Sequence, residues 1–307
     1  MPAAANHPRI LVFGSLNIDH VYQVPHFVRP GETLASAAYQ KHAGGKGLNQ
    51  AIALARAGMQ VSFAGAVGQD GVWLRDMLAE NGVDPQHIRV IEEATGHAII
   101  QVDQDGNNAI VLFGGANQCI GSGMIGDVLA GFSAGDCVLL QNEISGCPQI
   151  IRTAADRGIR VALNPSPASP ALREWPLELV DFLILNEVEG YDLTGFTAPD
   201  DIVRALRDRC PSCAIVLTLG EQGAVYAAAD TGILRQPAYP VQAVDTTAAG
   251  DTFTGYFLQA VLSGDAPAAA MQKAACAASI TVSRPGAGQS IPTQEETQAR
   301  LNQQTQR

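Results

Sequence analysis

Ala243-Val-Asp245-Thr-Thr-Ala-Ala-Gly250-Asp251-Thr-Phe-Thr-Gly255 reads as a strand end passing through a tight turn into a helix. The spacing predicts a strand that ends near Val244 and a helix that begins near Asp251. Helical periodicity then continues as Asp251–Leu262 and Ala266–Val282. A strand-to-helix turn of small residues aims backbone N–H groups at bound negative charge. Ala248, Ala249 and Gly250 let a ligand come close to those groups, and Asp251 beside them is a carboxylate able to take a proton. An Asp in a first turn is equally a good helix cap. Spacing alone does not choose between base and cap.

Outward from this segment, short apolar runs alternate with helical patterns. The runs Ile10–Phe13, Val61–Ala66, Val138–Gln141, Val161–Asn164, Phe182–Leu185 and Ile215–Leu219 read as buried strands. Leu48–Ala57, Gly71–Asn81, Gln149–Arg157 and Ile202–Arg209 read as helices between them. That alternation predicts βαβ units, and so an α/β fold with a mostly parallel sheet between two helical layers. Two stretches depart from it. Ala98–Val102 and Ala109–Phe113 flank an Asp105-Gly106 hairpin signal, and Ile18–Val28 reads as extended. They predict a small antiparallel sheet, a lid drawn from about residues 17–40 and 97–113 of a single domain spanning 1–307. The polar stretch after Thr293 reads as a disordered tail.

Composition sets the outer bounds. The 307 residues are 47% hydrophobic and carry a formal charge of −11, which argues against a nucleic-acid surface. An anionic ligand must then be met by backbone N–H groups and a few placed cations. No apolar run reaches the roughly 18–20 residues of a membrane span, and Met1–His7 lacks signal-peptide character. A cytoplasmic location is expected. Cys210-Pro-Ser-Cys213 has redox or zinc spacing but no second pair, and the six histidines lack ligand spacing. Gly121-Ser-Gly123-Met-Ile-Gly126 fits the dinucleotide fingerprint literally. It lacks the strand immediately before it and the acidic residue about 20 positions later.

Further motifs stand at the ends of the predicted strands, where open α/β sheets bind ligands. In Gly14-Ser15-Leu16-Asn17-Ile18-Asp19, Asn17 offers a donor and an acceptor, and Asp19 can accept from two neighbouring hydroxyls. Ala43-Gly44-Gly45-Lys46-Gly47-Leu48-Asn49-Gln50-Ala51 places glycines before a helix, permitting close approach to a ligand, with Lys46 and Asn49 as donors. It is not a Walker A loop, since Gly47 follows the lysine. Gln141-Asn142-Glu143, Leu185-Asn186-Glu187-Val188-Glu189, Thr218-Leu219-Gly220-Glu221-Gln222-Gly223 and the stretch Thr281–Ser290 complete the set. Taken singly, each is also an ordinary turn or helix end.

Together, these segments resemble the ribokinase-like carbohydrate kinases, the PfkB family, over nearly the whole chain. Residues 243–255 look like the family's C-terminal signature and residues 43–51 like its N-terminal Gly-Gly signature. The resemblance implies transfer of the ATP γ-phosphate to a primary furanose hydroxyl, with Asp251 as base and Ala248, Ala249 and Gly250 as the anion cradle. It implies a sugar held by Asn17, Asp19, Gly45, Lys46, Gly47, Asn49 and Glu143, and favours D-ribose. It places ATP along Thr218, Leu219, Gly220, Glu221, Gln222 and Gly223, with Asn186, Gly250 and Ala275. It assigns magnesium to Glu189 of the Asn-x-x-Glu motif. Potassium falls to Asp245, Thr247, Thr281, Arg284, Gly286 and Ser290, and the lids are expected to join two copies in a homodimer. Leu48 is bulkier than the usual Ala, and Ala275 replaces the His or Asn common beside adenine. Another furanose or a nucleoside is an alternative substrate. A sugar-binding regulator without turnover is an alternative that the intact Gly250-Asp251 pair disfavours.

Overall fold

A computed structural model describes residues 8–305, so Met1–His7 lies outside the described residues. The first half of the chain forms β1 (Ile10–Phe13), β2 (Asn17–Gln23), β3 (Ala38–Gly44), α1 (Lys46–Arg56), β4 (Val61–Gly68), α2 (Val72–Glu80), β5 (Val83–Ile91), β6 (Gly96–Val102) and β7 (Asn108–Phe113). There follow α3 (Ser122–Leu129), β8 (Cys137–Gln141), α4 (Cys147–Asp156), β9 (Arg160–Asn164), β10 (Phe182–Asn186), α5 (Glu187–Thr194), α6 (Pro199–Arg209) and β11 (Ala214–Thr218). The chain closes with β12 (Ala224–Ala228), β13 (Thr231–Gln236), α7 (Ala249–Leu262), α8 (Pro267–Thr281) and α9 (Gln294–Thr305).

Nine strands make the main sheet, in the order β13-β12-β11-β10-β9-β8-β1-β4-β5. From β5 to β11 all neighbours are parallel, and β12 and β13 add on antiparallel. Alternate strand residues enter opposite cores, as pleating requires. Ile10, Val12 and Leu139 meet α1, α7 and α8 on one face, whereas Leu11, Phe13 and Leu140 meet α3, α4 and α6 on the other. The predicted three-layer α/β/α architecture is the one observed. Because β1 lies between β4 and β8, the strand order reverses there, which opens a crevice at the carboxyl ends of the strands.

The second sheet has the order β3-β2-β6-β7. It is mixed, not antiparallel throughout: β2 runs parallel to β6 in register from Asn17↔Gly96 to Gln23↔Val102. The long excursion through β3, α1 and β5 brings β6 in from the same end as β2. Strands β3, β5, β12 and β13 escaped the sequence reading; β3 carries polar residues on both faces and β5 contains Pro85, tolerated on the sheet edge. Ile110, Val111, Leu112 and Phe113 on β7 remain 46–65% exposed.

Two other expectations are corrected. No strand ends at Val244: β13 stops at Gln236, and Pro237 and Pro240 deny the next stretch its ladder donors. The N–H groups of Val244 and Asp245 donate instead to the Val282 carbonyl, at 2.7 and 3.2 Å. The polar stretch after Thr293 is not a disordered tail but α9, opened by a capping box. The Thr293 N–H donates to Glu296 at 2.8 Å, and the Glu296 N–H donates to the Thr293 hydroxyl at 3.3 Å. Gly121–Gly126, by contrast, follows a 3-10 turn and not a strand, as its context suggested. No helix among the described residues is long and apolar enough to cross a membrane.

Helices α1 and α7 pack closely, and this sets up the site. A side chain at Gly255 would place its Cβ 2.5 Å from that of Ala53, so only glycine lets α7 settle against α1.

Candidate active site

Beyond the end of β1, Ser15 donates its hydroxyl proton to Glu143 and accepts from the Gly47 N–H at 3.2 Å. Glu143 also accepts from the Lys46 N–H at 2.9 Å. The glycines expected to approach a ligand instead approach the protein. A Cβ at Gly47 would strike the Ser15 backbone, and one at Gly44 would overlap the Asp19 carboxylate. Gly45, at φ +99°, is the N-cap of α1 in a conformation that suits glycine alone. These absences fit the β1 turn against the start of α1 and leave the Asp19 carboxylate beside it.

Asn17 is held from behind. Its Oδ1 accepts from Asn117 Nδ2 at 2.7 Å, while Asn117 also bonds the Leu16 N–H and carbonyl. Asp19 and Glu143 lie in the same acidic, half-buried place. The Asp19 carboxyl is pushed up to about 6, first by burial and then by the negative charge of Glu143. Burial also raises Glu143, against the lowering effect of its bonds to Ser15 and Lys46. For Lys46, burial opposes the charge, but the carboxylates of Asp251, Glu143 and Glu189 outweigh it and raise its pKa.

Asp251 is buried in the first turn of α7. Its Oδ2 accepts from Asn49 Nδ2 at 3.1 Å and its Oδ1 from Gln50 Nε2 at 2.9 Å. Asn49 Oδ1 has no protein partner although buried, so toward a ligand this side chain offers chiefly an acceptor. The turn before Asp251 is strained: Ala248, with φ +60° and ψ 8°, is the single non-glycine residue at positive φ among the described residues. That conformation costs on the order of 1–2 kcal/mol. It lets α7 begin at Ala249, so the Gly250 and Asp251 N–H groups have no acceptor upstream within the helix. A Cβ on Gly250 would meet no protein atom.

The space it would enter is a cavity of about 600 Å³. It is lined by Thr218, Gly220, Glu221 and Gly223, by Thr246, Ala249 and Gly250, and by apolar groups of Tyr239, Val241, Phe253, Ala275 and Val282. Such a cleft, largely apolar with a few polar groups, fits a base joined to phosphates. Of the expected nucleotide residues, Leu219, Gln222 and Asn186 do not line it. Asn186 and Glu189 form a capping box at the start of α5. The Asn186 N–H and Nδ2 donate to the two Glu189 oxygens at 2.9 and 3.1 Å, and the Glu189 N–H returns to Asn186 Oδ1 at 3.0 Å.

The segments expected to hold potassium do meet. Asp245 Oδ1 accepts from the Thr247 N–H at 2.9 Å and hydroxyl at 2.6 Å, and Oδ2 accepts from the Gly286 N–H at 2.9 Å. Burial works against the Asp245 charge, but these bonds outweigh it and hold its pKa below the ordinary carboxylate value. Ser290 donates to the Ala287 carbonyl at 2.7 Å, and the Thr281 hydroxyl lies 3.0 Å from that of Thr252. The Arg284 side chain offers the loop no group, because it pairs with Glu296 on α9 at 2.6 Å.

A family model described as pfkB family carbohydrate kinase matches residues 7–294. The chain belongs to that family. Ribokinase of Haemophilus influenzae is 39% identical to it over 299 residues, covering 94% of this chain and 96% of the relative. The ribokinase of Cryptococcus neoformans var. grubii serotype A in complex with ADP superposes with a TM-score of 0.85 at 36% identity, over 96% of this chain and 100% of that one. Arabidopsis thaliana ribokinase complexed with ribose and ATP does so with 0.83 at 31% identity, over 96% and 98%. The expected family, fold and phosphotransferase class therefore hold.

Within the pfkB frame, the structure links Lys46, Asn49 and Glu143 to Asp251 and Asp19 to Glu143, while Ala249 and Gly250 of the same α7 turn line the cavity. Sequence reasoning missed Ser15, Gln50, Asn117, Gln141 and Asn164, which hold the site's side chains. Gln50 alone carried a signal, as a polar residue opening the apolar run Ala51–Leu54 of α1. Asp19 yields a stability test. The folded protein holds its proton more tightly than the unfolded chain, so this carboxyl favours folding in acid and loses that contribution as pH rises through about 6. Asp19→Asn is expected to stabilise the ligand-free protein at pH 7.5 by on the order of 2 kcal/mol, with the gain vanishing near pH 4. Denaturant unfolding at both pH values reads it, and a variant less stable at pH 7.5 contradicts the buried-charge account.

Proposed function

We propose that the chain transfers the γ-phosphate of ATP to the 5-hydroxyl of D-ribose, giving ribose 5-phosphate and ADP. The observation that carries this reading is the place of Asp251. It stands beside the free helix-start amides of α7, bonded to Asn49 of the polar pocket and next to Gly250, which lines the nucleotide-sized cavity. As the sugar oxygen forms its bond to phosphorus and the bond to the ADP oxygen breaks, Asp251 takes the hydroxyl proton. The Gly250 and Asp251 amides face the charge that spreads over the transferring group, and Ala248 and Ala249 shape the turn that aims them. Lys46, kept charged by its carboxylate neighbours, adds a side-chain cation. Asn17, Asp19, Asn49 and Glu143 bind the sugar hydroxyls, while Gly45 and Gly47 fix the turn that carries them. Ribose in complex with one relative, and the identity to ribokinases, support the choice of sugar.

Thr218, Gly220, Glu221, Gly223, Gly250 and Ala275 hold the nucleotide, with Leu219 and Gln222 supporting their loop. Small Ala275 leaves the adenine contact to apolar neighbours. Glu189, steadied by Asn186, would help hold a magnesium ion, whose charge would offset that of the phosphates. The loop of Asp245 and Thr247, with backbone oxygens of residues 281–290, suits a large monovalent cation that shapes the anion cradle. The small sheet serves as a lid over the sugar.

Coupled ADP release across pentoses, hexoses and nucleosides tests the reaction. D-ribose is expected to give the highest kcat/KM, and 2-deoxyribose to lose about 1–3 kcal/mol because Asp19 is left with an unpaired oxygen. Asp251→Asn is expected to retain sugar and ATP binding and lose at least ~10²-fold in turnover. Preference for another sugar overturns the ribose assignment, and normal turnover of Asp251→Asn overturns the base.

Turnover at matched ionic strength is expected to be faster in potassium than in sodium or a bulky organic cation. Equal rates in all three would reduce the 281–290 loop to a helix terminus. The exposed apolar side chains of β7 are expected to be covered by the same sheet of a second copy. Sedimentation at micromolar concentration reads that dimer, and a monomer there contradicts it.

A further inference from the structure

Gln50 has no exposed surface, yet every polar atom of its side chain is engaged. Nε2 donates to Asp251 Oδ1 at 2.9 Å and to Asn164 Oδ1 at 3.0 Å. Its Oε1 accepts from Gln141 Nε2 at 2.7 Å. Asn164 in turn donates from Nδ2 to the Ile184 carbonyl at 2.8 Å. Gln50 and Gln141 are wholly buried and Asn164 nearly so. The chain of bonds crosses β8, α1, α7, β9 and β10.

Its direction is determined at both ends. A carboxylate and a backbone carbonyl only accept, so Gln50 must turn its NH₂ toward Asp251, and Asn164 must turn its NH₂ toward Ile184. Gln50 then presents its oxygen to Gln141, whose NH₂ fills it. Reversing any one amide would set oxygen against oxygen in a buried place. The consequence falls on Asp251. Rotation of a carboxylate about Cβ–Cγ is soft, with no sharp staggered wells. Separate donors on its two oxygens, Asn49 on one and Gln50 on the other, fix the plane of the group. A base must keep its accepting lone pair within hydrogen-bond reach of the hydroxyl it deprotonates.

We propose that Gln50 is a positioning residue for phosphoryl transfer, orienting the Asp251 carboxylate while Gln141 sets the direction of the Gln50 amide. This rests on Asp251 being the base. Gln50 is too buried to meet substrate, so its effect passes through Asp251 and belongs to turnover, not to binding.

The test is a double-mutant cycle on the full chain, with ATP and the best-turned-over sugar. Gln50→Met is expected to lower kcat about 10- to 10²-fold. The KM for sugar should stay within about twofold. In an Asp251→Asn background, the same substitution should change the residual kcat by less than about twofold, because the residues act as a unit. Gln141→Met is expected to give a smaller loss of the same kind, and it carries the test should Gln50→Met fail to fold. An unchanged kcat, or the same fractional loss with and without Asp251, overturns the proposal and leaves Gln50 a structural tie between helices. Normal turnover of Asp251→Asn overturns the base and this inference together. An inactive Asp251→Asn beside a normal Gln50→Met overturns this inference alone.

Discussion

One buried carboxylate, Asp251, ties the first turn of α7 to α1 through the amides of Asn49 and Gln50. The two helices come close enough only because residue 255 has no side chain to meet Ala53. Helix α1 is itself anchored to the sheet. Its first N–H groups reach Glu143 after β8 and the Ser15 hydroxyl after β1, and Gln50 reaches Gln141 and Asn164 at the ends of β8 and β9. The position of the carboxylate is thus inherited from three parallel strands whose spacing the backbone ladder sets. Rigid elements of this kind hold a reacting group more tightly than a loop would.

The same place concentrates charge at a cost to stability. Asp19 and Glu143 share a half-buried pocket in which each suffers from the other or from burial. Lys46 is the compensating cation, and the carboxylates around it keep it protonated. Ala248 adds backbone strain at the start of α7. Unfavourable local terms of this sort persist where binding or chemistry uses them and the rest of the fold over-determines the geometry. In a chain of formal charge −11, the amides left free at the start of α7 are groups that can face an anionic ligand without added cations. Arg284, in the loop whose Gly286 N–H bonds Asp245, is paired with Glu296.

The sequence by itself determined six parallel strands of the main sheet, β1, β4 and β8–β11, because their evidence is local. Buried parallel strands must be runs of Val, Ile and Leu, and Ile10–Phe13 or Ile215–Leu217 can hardly be anything else. It also placed Asn17, Glu143, Asn186 and Thr218 at or just beyond the carboxyl ends of strands, since they stand at or just after such runs. Helix α7 was legible from its small residues and apolar period, though its αL start at Ala248 was not. Polar or proline-bearing strands such as β3 and β5 carry no such mark.

Only the tertiary structure decided how the site is held. Gln50 meets Asp251 across 201 residues and Gln141 across 91, and Asn117 supports Asn17 across 100. It also decided that β2 and β6 run parallel, that residues 294–305 form a helix, and that the glycines of residues 44–47 make room for Ser15 and Asp19. A hydrogen-bond partner far along the chain leaves no spacing or period to read. Its identity follows from which strand ends and helix faces the packed core brings together.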